Sequence, residues 1–452
     1  MPSAFLYLGL LLAVVLVWFS ALKRPIYEAV LLSFLVLLTV TGHWGDVLSY
    51  IDEGISSSLI YSMVSFVTMS ILLTKTKVID DCVSLILALV GRITGGPGYA
   101  AVVSSAFMGA LSGSGPGNVM ATGTLTIPSM IRAGFPRELA ANIESNASYL
   151  GNMIPPSSNI MAALGAFTAM YPAMNITVAR FWVVLWGISL YFILQRILMV
   201  FAFCKYYKVK PLPKEQLPSL KQTLKSGWQA LFLPVIILAP FVLDFLFKET
   251  FFTQRLGAAG AKALSSATLL FVGGVAALYA CLVAKDKSSL TPKGIAKIFS
   301  GAVKSISPAI GVCIFGYMIG ALFADLNVSE QLENALSGLA LGKLGTVVLI
   351  CIITCFMGMV IPGSSQVVLF GPMFIALLAG VGVDPLLAAA MLPCICGVMC
   401  GITPPLALGM YAGMSIAQSE LGKTVKNDLW WVAAQFVLQV IVLMGWLPIL
   451  GL

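Results

Sequence analysis

Long apolar runs, separated by short polar segments, extend over almost the whole chain. Runs of about 17 or more apolar residues are long enough to cross the hydrocarbon core of a bilayer as α-helices. The pattern predicts an all-α polytopic membrane protein embedded in the lipid bilayer by about ten spans. The predicted spans lie near 4–22, 26–42, 57–74, 138–165, 178–204, 227–247, 257–284, 305–323, 386–412 and 429–449.

Two further apolar segments, 98–131 and 345–380, are interrupted near their middle by glycine, serine or proline. Such residues do not continue a helix in lipid, so each segment is predicted to be a re-entrant helical hairpin. Two of the predicted spans, 138–165 and 386–412, contain a double proline. These spans are predicted to be broken helices, because tandem prolines leave carbonyl groups of the preceding turn unpaired.

The interrupted segments form two matching sets that are shifted by 249 positions. The matching residues are Phe107-Met108-Gly109 and Phe356-Met357-Gly358, Pro136 and Pro385, and Pro155-Pro156 and Pro404-Pro405. Paired segments of this kind, interrupted by glycine and proline, are typical of transporter binding sites near the bilayer midplane. The pattern predicts two structural repeats, 1–205 and 227–452, with a solvated connector at 206–226.

The composition excludes a soluble protein, because 59% of the residues are apolar, 10% are charged and the mean hydropathy is +0.98. The net charge of +8 does not indicate nucleic-acid binding, since the basic residues are spread between the spans. Cys394, Cys396 and Cys400 lie close together, but no histidine or acidic residue is near them in the sequence. They are predicted to be small buried side chains and not a transition-metal site.

The basic residues predict the orientation in the membrane. Of the 26 lysines and arginines, 20 fall on one predicted side, and an excess of this size marks the cytoplasmic face. Both termini are then outside, the first hairpin enters from the cytoplasm, and the second enters from outside. The repeats are therefore predicted to be inverted. This assignment requires 78–94 and 327–343 to lie in the interface, as the acidic residues near their starts favour.

The first hairpin tip and the first double proline supply oxygen ligands for a cation. The helix break frees carbonyl oxygens, and serine and asparagine add side-chain oxygens, a combination that suits sodium. The predicted first cation site comprises Ser112, Gly113, Ser114, Asn118, Gly151, Asn152, Ile154 and Pro155. The alternative, a glycine-packed helix interface, does not explain the polar side chains.

The second tip and the second double proline also combine freed carbonyl oxygens with side-chain oxygens. The predicted second cation site comprises Gly358, Pro362, Gly363, Ser364, Ser365, Gly401, Thr403 and Pro404. A substrate is predicted to bind between the two cation sites, and the helix N-termini that follow each break suit a carboxylate. Its predicted contacts are Ser114, Ser157, Asn159, Ser365 and Gln366.

Glu144 is the acidic residue nearest to the first double proline. It lies about two helical turns from Arg137, so its side chain is predicted to reach the cytoplasmic interface, with a proton relay as the alternative. Asn142 and Asn146, one turn apart, are predicted to share a face of the same helix.

Four groups of residues resemble one family, the large membrane subunit of TRAP (tripartite ATP-independent periplasmic) transporters, DctM type, within the ion transporter superfamily. Its first hairpin and first broken helix are similar to Ser112-Gly113-Ser114 and Ile154-Pro155-Pro156-Ser157. Its second hairpin, the exit from that hairpin and the second broken helix are similar to Phe356-Met357-Gly358-Met359, Gly382-Val383-Asp384-Pro385 and Gly401-Ile402-Thr403-Pro404-Pro405.

The resemblance implies sodium-coupled uptake of a small organic acid by an elevator movement, across the inner membrane of a bacterium or archaeon. It implies two partners, a small four-span membrane subunit on a separate chain and a periplasmic substrate-binding protein. It implies no catalytic residue and no cofactor besides the coupling sodium ions. The chain departs from the family at Asn118, where an aspartate is common, and around Ile361-Pro362, where an acidic residue is usual.

Three other function classes compete with this interpretation. An intramembrane serine protease built on Gly113-Ser114-Gly115 would need a base, and the sole histidine, His43, lies outside near the end of a span. A channel with opposed re-entrant loops is disfavoured by the broken helices beside both hairpins. A stand-alone sodium- or proton-coupled symporter of divalent anions or dicarboxylates is the closest alternative.

Overall fold

The structure is a computed structural model. It describes residues 3–15, 17–18, 22–56, 58–112, 115–174, 176–213, 219–285, 287–288, 290–328, 330–331, 342–359, 361–404 and 406–452. These residues form helices and turns, with no β-strand among them, and six helices in this part of the chain are long and apolar enough to cross a membrane. The all-helical membrane-protein class is confirmed, whereas the count of ten spans stays a prediction.

Ten α-helices precede the connector in the part of the chain that the structure describes. They are α1 (Ser3–Val15), α2 (Ile26–Thr41), α3 (Val47–Ser56), α4 (Ser58–Thr76), α5 (Val78–Val90), α6 (Gly96–Ser112), α7 (Gly115–Arg132), α8 (Arg137–Leu150), α9 (Ser158–Met170) and α10 (Val178–Tyr206).

The second half begins with a short helix inside the predicted connector. Its helices are α11 (Leu220–Gly227), α12 (Phe232–Phe247), α13 (Thr253–Val283), α14 (Pro292–Asp325), α15 (Gly342–Gly358), α16 (Gly363–Gly380), α17 (Pro385–Leu392), a π-helical turn (Pro393–Val398), α18 (Met399–Ile402), α19 (Leu408–Ala417) and α20 (Leu421–Leu443). Most of 327–343, predicted to lie in the interface, is outside the described residues.

Prolines and polar caps fix where these helices begin. Pro136 precedes α8, and Pro385 is the first residue of α17, where a missing N–H costs nothing. Asp384 caps α17, because its Oδ1 accepts from the backbone N–H groups of Leu386 at 2.8 Å and Leu387 at 3.0 Å. The two matching prolines therefore start the same element in each half.

The predicted hairpins and broken helices appear as pairs of helices. The first hairpin is α6 and α7, and the second hairpin is α15 and α16. The first broken helix is α8 and α9, separated at 151–157. The second broken helix is α17, the π-helical turn and α18, followed by a break before α19.

These interrupted helices pack against each other crosswise. The first hairpin contacts α8 of the first broken helix and α19 of the second. The second hairpin contacts α9 of the first broken helix and α17 with the π-helical turn of the second. The first halves of both broken helices are almost completely buried, including Cys394, Cys396 and Cys400 as predicted. The core of the protein is thus built from the segments that interrupt the apolar pattern.

One backbone contact occurs at matching positions in both halves. Gly109 of the first hairpin touches Gly151, so a Cβ on Gly151 would overlap the Gly109 backbone. In the second half, a Cβ on Gly358 would lie 3.1 Å from the Cα of Cys400. Both pairs are separated by the same 249 positions, since 109 and 151 become 358 and 400. The opposite orientation of the two halves in the membrane stays a prediction.

Candidate functional site

Asn118 lies in the first turn of α7, directly after the first tip, and is buried. Its Nδ2 donates to the carbonyl oxygen of Ser105 at 2.7 Å and, more weakly, to that of Ser148 at 3.4 Å. Its Oδ1 has no hydrogen-bond partner among the described residues. A buried acceptor left unpaired is costly, so this oxygen is available to a ligand. Gly113, Ser114 and the side chain of Ser112 lie outside the described residues.

The first break reaches across to the second broken helix. Asn152 donates from Nδ2 to the carbonyl oxygen of Gly397 at 2.8 Å. A Cβ on Gly397 would lie 3.3 Å from Nδ2 of Asn159, so two predicted site residues meet the same glycine. Ser157 caps α9 by accepting from the Asn159 backbone N–H at 3.3 Å. Ile154 and Pro155 are buried beside them.

The second tip packs on the π-helical turn and α18. The Gly363 N–H donates to Sγ of Cys400 at 3.1 Å, and a Cβ on Gly363 would lie 2.5 Å from the Cα of Gly397. Gln366, in the first turn of α16, donates from Nε2 to the Ile361 carbonyl at 2.8 Å. Its buried Oε1 has no partner in the described part of the chain. This amide therefore repeats the arrangement of Asn118.

The other residues of the predicted second site have different surroundings. Pro362 precedes α16, Ser365 is buried, and Ser364 is exposed. The hydroxyl of Thr403 donates to the Met399 carbonyl at 2.7 Å, whereas Pro404 is half-buried. The closest contacts of the second tip are thus with the turn before Thr403.

Tyr149 joins three elements at the first tip, a role that no sequence pattern indicates. A Cβ on Gly115 would lie 2.5 Å from its ring, and a Cβ on Gly401 or Gly409 would overlap the ring. The ring thus lies between the first hairpin, the end of α18 and the start of α19. Glycines at these positions were visible in the sequence, but nothing there indicated that they face one tyrosine.

Replacing Tyr149 with alanine should lower stability by about 3–5 kcal/mol, the usual cost of removing a buried aromatic ring. Tyr149→Phe keeps the ring and should melt close to the wild type. The thermal unfolding midpoints of both variants in detergent check this. A Tyr149→Ala protein that melts at the wild-type temperature would show that the ring does not hold these elements together.

Glu144 does not reach the interface, so that prediction is wrong. It is completely buried between α8 and the first hairpin. Its Oε1 accepts from the hydroxyls of Ser105 and Thr122, both at 2.5 Å, and Ser148 at 3.0 Å, and its Oε2 contacts the Thr126 hydroxyl at 2.5 Å. Four hydroxyl groups replace the water that a snorkelling side chain would have found.

Asn142 and Asn146 share a face, as predicted, and this face contacts α20. Asn142 donates to the Thr424 carbonyl and Asn146 to Oδ1 of Asp428, each at 2.9 Å. Helix α8 therefore presents its glutamate to the first hairpin and its two asparagines to α20.

Comparisons with known proteins identify the family of the chain. A family model described as the tripartite ATP-independent periplasmic transporter, DctM component, matches residues 5–450. The C4-dicarboxylate TRAP transporter large permease protein DctM of Vibrio cholerae is 25% identical over 406 residues, which cover 85% of this chain and 84% of that protein. The sialic acid TRAP transporter large permease protein SiaM of the same organism is 24% identical over 423 residues, which cover 90% and 88%.

Among solved structures, the YdaH transporter of Alcanivorax borkumensis superposes with a TM-score of 0.58 at 15% identity, covering 86% of this chain and 87% of that one. At this identity the likeness concerns the fold alone. The family model, in contrast, spans nearly the whole sequence. The chain therefore belongs to the DctM family and is a large membrane subunit of a TRAP transporter in the inner membrane.

Proposed function

We propose that the chain is the permease subunit that imports a small organic acid together with sodium ions. Two buried amide oxygens carry the proposal, Oδ1 of Asn118 and Oε1 of Gln366. Each lies in the first turn after a hairpin tip, and the NH₂ group of each amide donates a hydrogen bond to a carbonyl of its own hairpin. Neutral oxygens held in this way, together with carbonyls freed by the breaks, suit a monovalent cation.

We propose that the substrate binds between the two hairpin tips, next to these two amides. The helices α7, α9 and α16 all begin at the breaks, where unpaired N–H groups favour a carboxylate. The relatives are named for C4-dicarboxylates and sialic acid, which are acids. We assign the carboxylate to Ser157, Asn159 and Ser365, with Ser114 at the first tip. Gln366, predicted as a substrate contact, is assigned to the cation instead.

Transporters of this family work with a small membrane subunit and a periplasmic binding protein. We propose that both are separate chains here, and that the binding protein delivers the acid to the outer face. The topology proposed from the basic residues places both termini on that face and makes 1–205 and 227–452 inverted repeats. The hairpins and broken helices then move as one elevator unit, which their shared buried core supports.

Sodium should stabilise the purified chain more than potassium does, because a ligand that binds only the folded state raises its melting temperature. Replacing Asn118 or Gln366 with leucine should raise the sodium concentration needed for half of this effect at least about tenfold, the equivalent of roughly 1.4 kcal/mol. Thermal unfolding in detergent, with sodium titrated against potassium, measures it without a substrate.

Gln439→Leu is the matched control. Gln439 is also buried with an Oε1 that has no partner among the described residues, but it lies on α20, outside both hairpins, and donates to the carbonyl of Cys394 in the π-helical turn. Its sodium midpoint should equal that of the wild type. If all three variants respond to sodium like the wild type, the assigned cation sites are wrong.

A further inference from the structure

Glu144 is a buried carboxyl group whose contacts the sodium-coupled function leaves unused. Two of its hydroxyl partners, Thr122 and Thr126, come from α7, one from α6 and one from α8 itself. A Cβ on Gly123 would lie 3.1 Å from Cγ of Glu144 and 3.2 Å from Cδ1 of Ile416, so α19 closes the remaining side. The carboxyl group is enclosed entirely by the first hairpin and the two broken helices.

No cation neutralises this carboxyl group within the described residues. The titratable residues on the surrounding helices are Tyr99 on α6, Arg132 on α7, Arg137, Glu138 and Tyr149 on α8, and Tyr411 on α19. Arg132 donates to the Ser129 hydroxyl and Arg137 to the Ala417 carbonyl. Asp428 of α20 and Arg196 of α10 lie towards the opposite face of α8, with Asn146. Burying a lone carboxylate in this way costs free energy, so the protonated, neutral form of the carboxyl group competes with the charged form.

The hydroxyls satisfy both protonation states without a shift of any heavy atom. A hydroxyl has one hydrogen and two lone pairs. With the carboxylate charged, Thr126 donates to Oε2. With the carboxyl protonated, Oε2–H donates to Thr126, and Thr126 donates instead to the Thr122 carbonyl at 3.0 Å.

Thr122 has the same choice. Its hydroxyl lies 2.5 Å from Oε1 of Glu144 and 2.9 Å from the carbonyl oxygen of Asn118. Adding or removing a proton therefore leaves no polar group of this cluster unpaired. An arginine or lysine partner would not allow this, because its side chain only donates and cannot accept from the protonated carboxyl group.

The same distances disfavour a metal ion. Oxygen ligands about 2.4 Å from an ion of calcium's size, which sodium shares, are roughly 3.4 Å apart in octahedral geometry. The hydroxyl-to-carboxylate separations of 2.5 Å at Ser105, Thr122 and Thr126 are hydrogen-bond distances. The ligand that this cluster accommodates is a proton.

The second repeat shows that the fold does not need a carboxyl group at this interface. A shift of 249 positions converts Glu144 to Pro393, Thr122 to Gly371 and Thr126 to Ile375. There a Cβ on Gly371 would lie 3.0 Å from Cδ1 of Leu392, an apolar contact. Ser105 corresponds to Thr354, whose hydroxyl donates within its own helix to the carbonyls of Ile350 and Cys351. Among the described residues, the corresponding hairpin therefore packs on its broken helix without a carboxyl group at this position, so the polar cluster has a role other than packing.

We propose that Glu144 binds and releases one proton in each transport cycle, so that a proton is coupled in addition to sodium. The proton comes from water on the side that the site faces, converts the carboxylate to the acid, and returns to water on the other side. This inference rests on the proposed transport function for its place in a cycle. The proton site itself does not depend on that function.

The test compares Glu144→Gln with Glu138→Gln, the same substitution two turns earlier on α8. Infrared difference spectra of the full chain in detergent, taken between acid and alkaline pH, record the carbonyl band of each protonated carboxyl group. The expected result is a band that Glu144→Gln loses and that Glu138→Gln and Asp428→Asn retain. A band that persists in Glu144→Gln, or a wild type without one, overturns the proposal.

Thr126→Val covers the case in which Glu144→Gln does not fold. It keeps the carboxyl group and removes one hydroxyl, so the band should remain while the midpoint of its pH titration moves. An unmoved midpoint overturns the assignment. In proteoliposomes at fixed sodium, an inward proton gradient should accelerate wild-type uptake, and Glu144→Gln should lose that acceleration. An equal acceleration in both proteins counts against the proposal.

The two proposals fail separately. If sodium drives no uptake while the Glu144 band titrates, the transport function is wrong and the proton site stands. If sodium drives uptake and no band belongs to Glu144, the reverse holds.

Discussion

Gly316→Cys/Val368→Cys should lose all transport when oxidised and regain it on reduction. A Cβ on Gly316 of α14 would lie 3.3 Å from the Cβ of Val368 on α16, close to the 3.5–4.5 Å that a disulfide spans. The bond would fix the second hairpin to a helix outside the proposed elevator unit. Uptake into vesicles that contain all three components, with oxidant and then reductant, measures the effect.

The control is Gly273→Cys/Ser65→Cys. It joins α13 to α4, and a Cβ on Gly273 would lie 2.6 Å from Oγ of Ser65. Both helices belong to the surroundings of the proposed moving unit, so transport should survive oxidation. If the oxidised Gly316→Cys/Val368→Cys protein transports fully, with the disulfide verified by mass spectrometry, the second hairpin does not move relative to α14, and the proposed elevator unit is wrong.

Gly151→Ala should destabilise the protein by about 3 kcal/mol, the upper end of the usual cost of overpacking, and abolish uptake, because the added Cβ displaces backbone and not a flexible side chain. The added Cβ would overlap the Gly109 backbone, which holds the first tip against the first break. Melting temperature in detergent and uptake in vesicles measure the two effects.

Gly320→Ala provides the comparison, since a Cβ on Gly320 of α14 meets none of the described atoms within 4 Å. Alanine is the better helix former, so this variant should be unchanged or slightly more stable. A Gly151→Ala protein that melts and transports like Gly320→Ala would mean that the contact can relax at little cost.

Much of the core could be predicted from the sequence because glycine and proline act locally. Pro136, Pro385 and the two double prolines end or begin helices wherever they occur in an apolar run. The predicted hairpin 98–131 corresponds to α6 and α7, and 345–380 to α15 and α16. The repeat of 249 positions is also visible in a contact that the sequence did not predict, since Gly109 with Gly151 and Gly358 with Cys400 are equivalent pairs.

The partners of polar side chains could not be predicted in the same way. Periodicity places Asn142 and Asn146 on one face, so they are expected to contact the same neighbouring helix. It does not identify that helix as α20, or the partners as Thr424 and Asp428. Glu144 illustrates the limit. Its distance from Arg137 along the helix suggested an interfacial position, whereas three of its hydroxyl partners come from the hairpin, 18 to 39 positions away in the chain.

The crosswise packing of the interrupted helices has a consequence for biosynthesis. The first hairpin is complete when α7 has been made, but α19, which covers part of it, begins at Leu408, 276 residues after Arg132, the last residue of α7. At 5–20 residues per second, the ribosome needs roughly 15–60 s to synthesise the interval. Throughout that time the first hairpin, which carries the polar residues Asn118 and Thr126, lies in the membrane without its native neighbour α19. Correct insertion of the first half therefore depends on the second half, and the two repeats cannot mature independently.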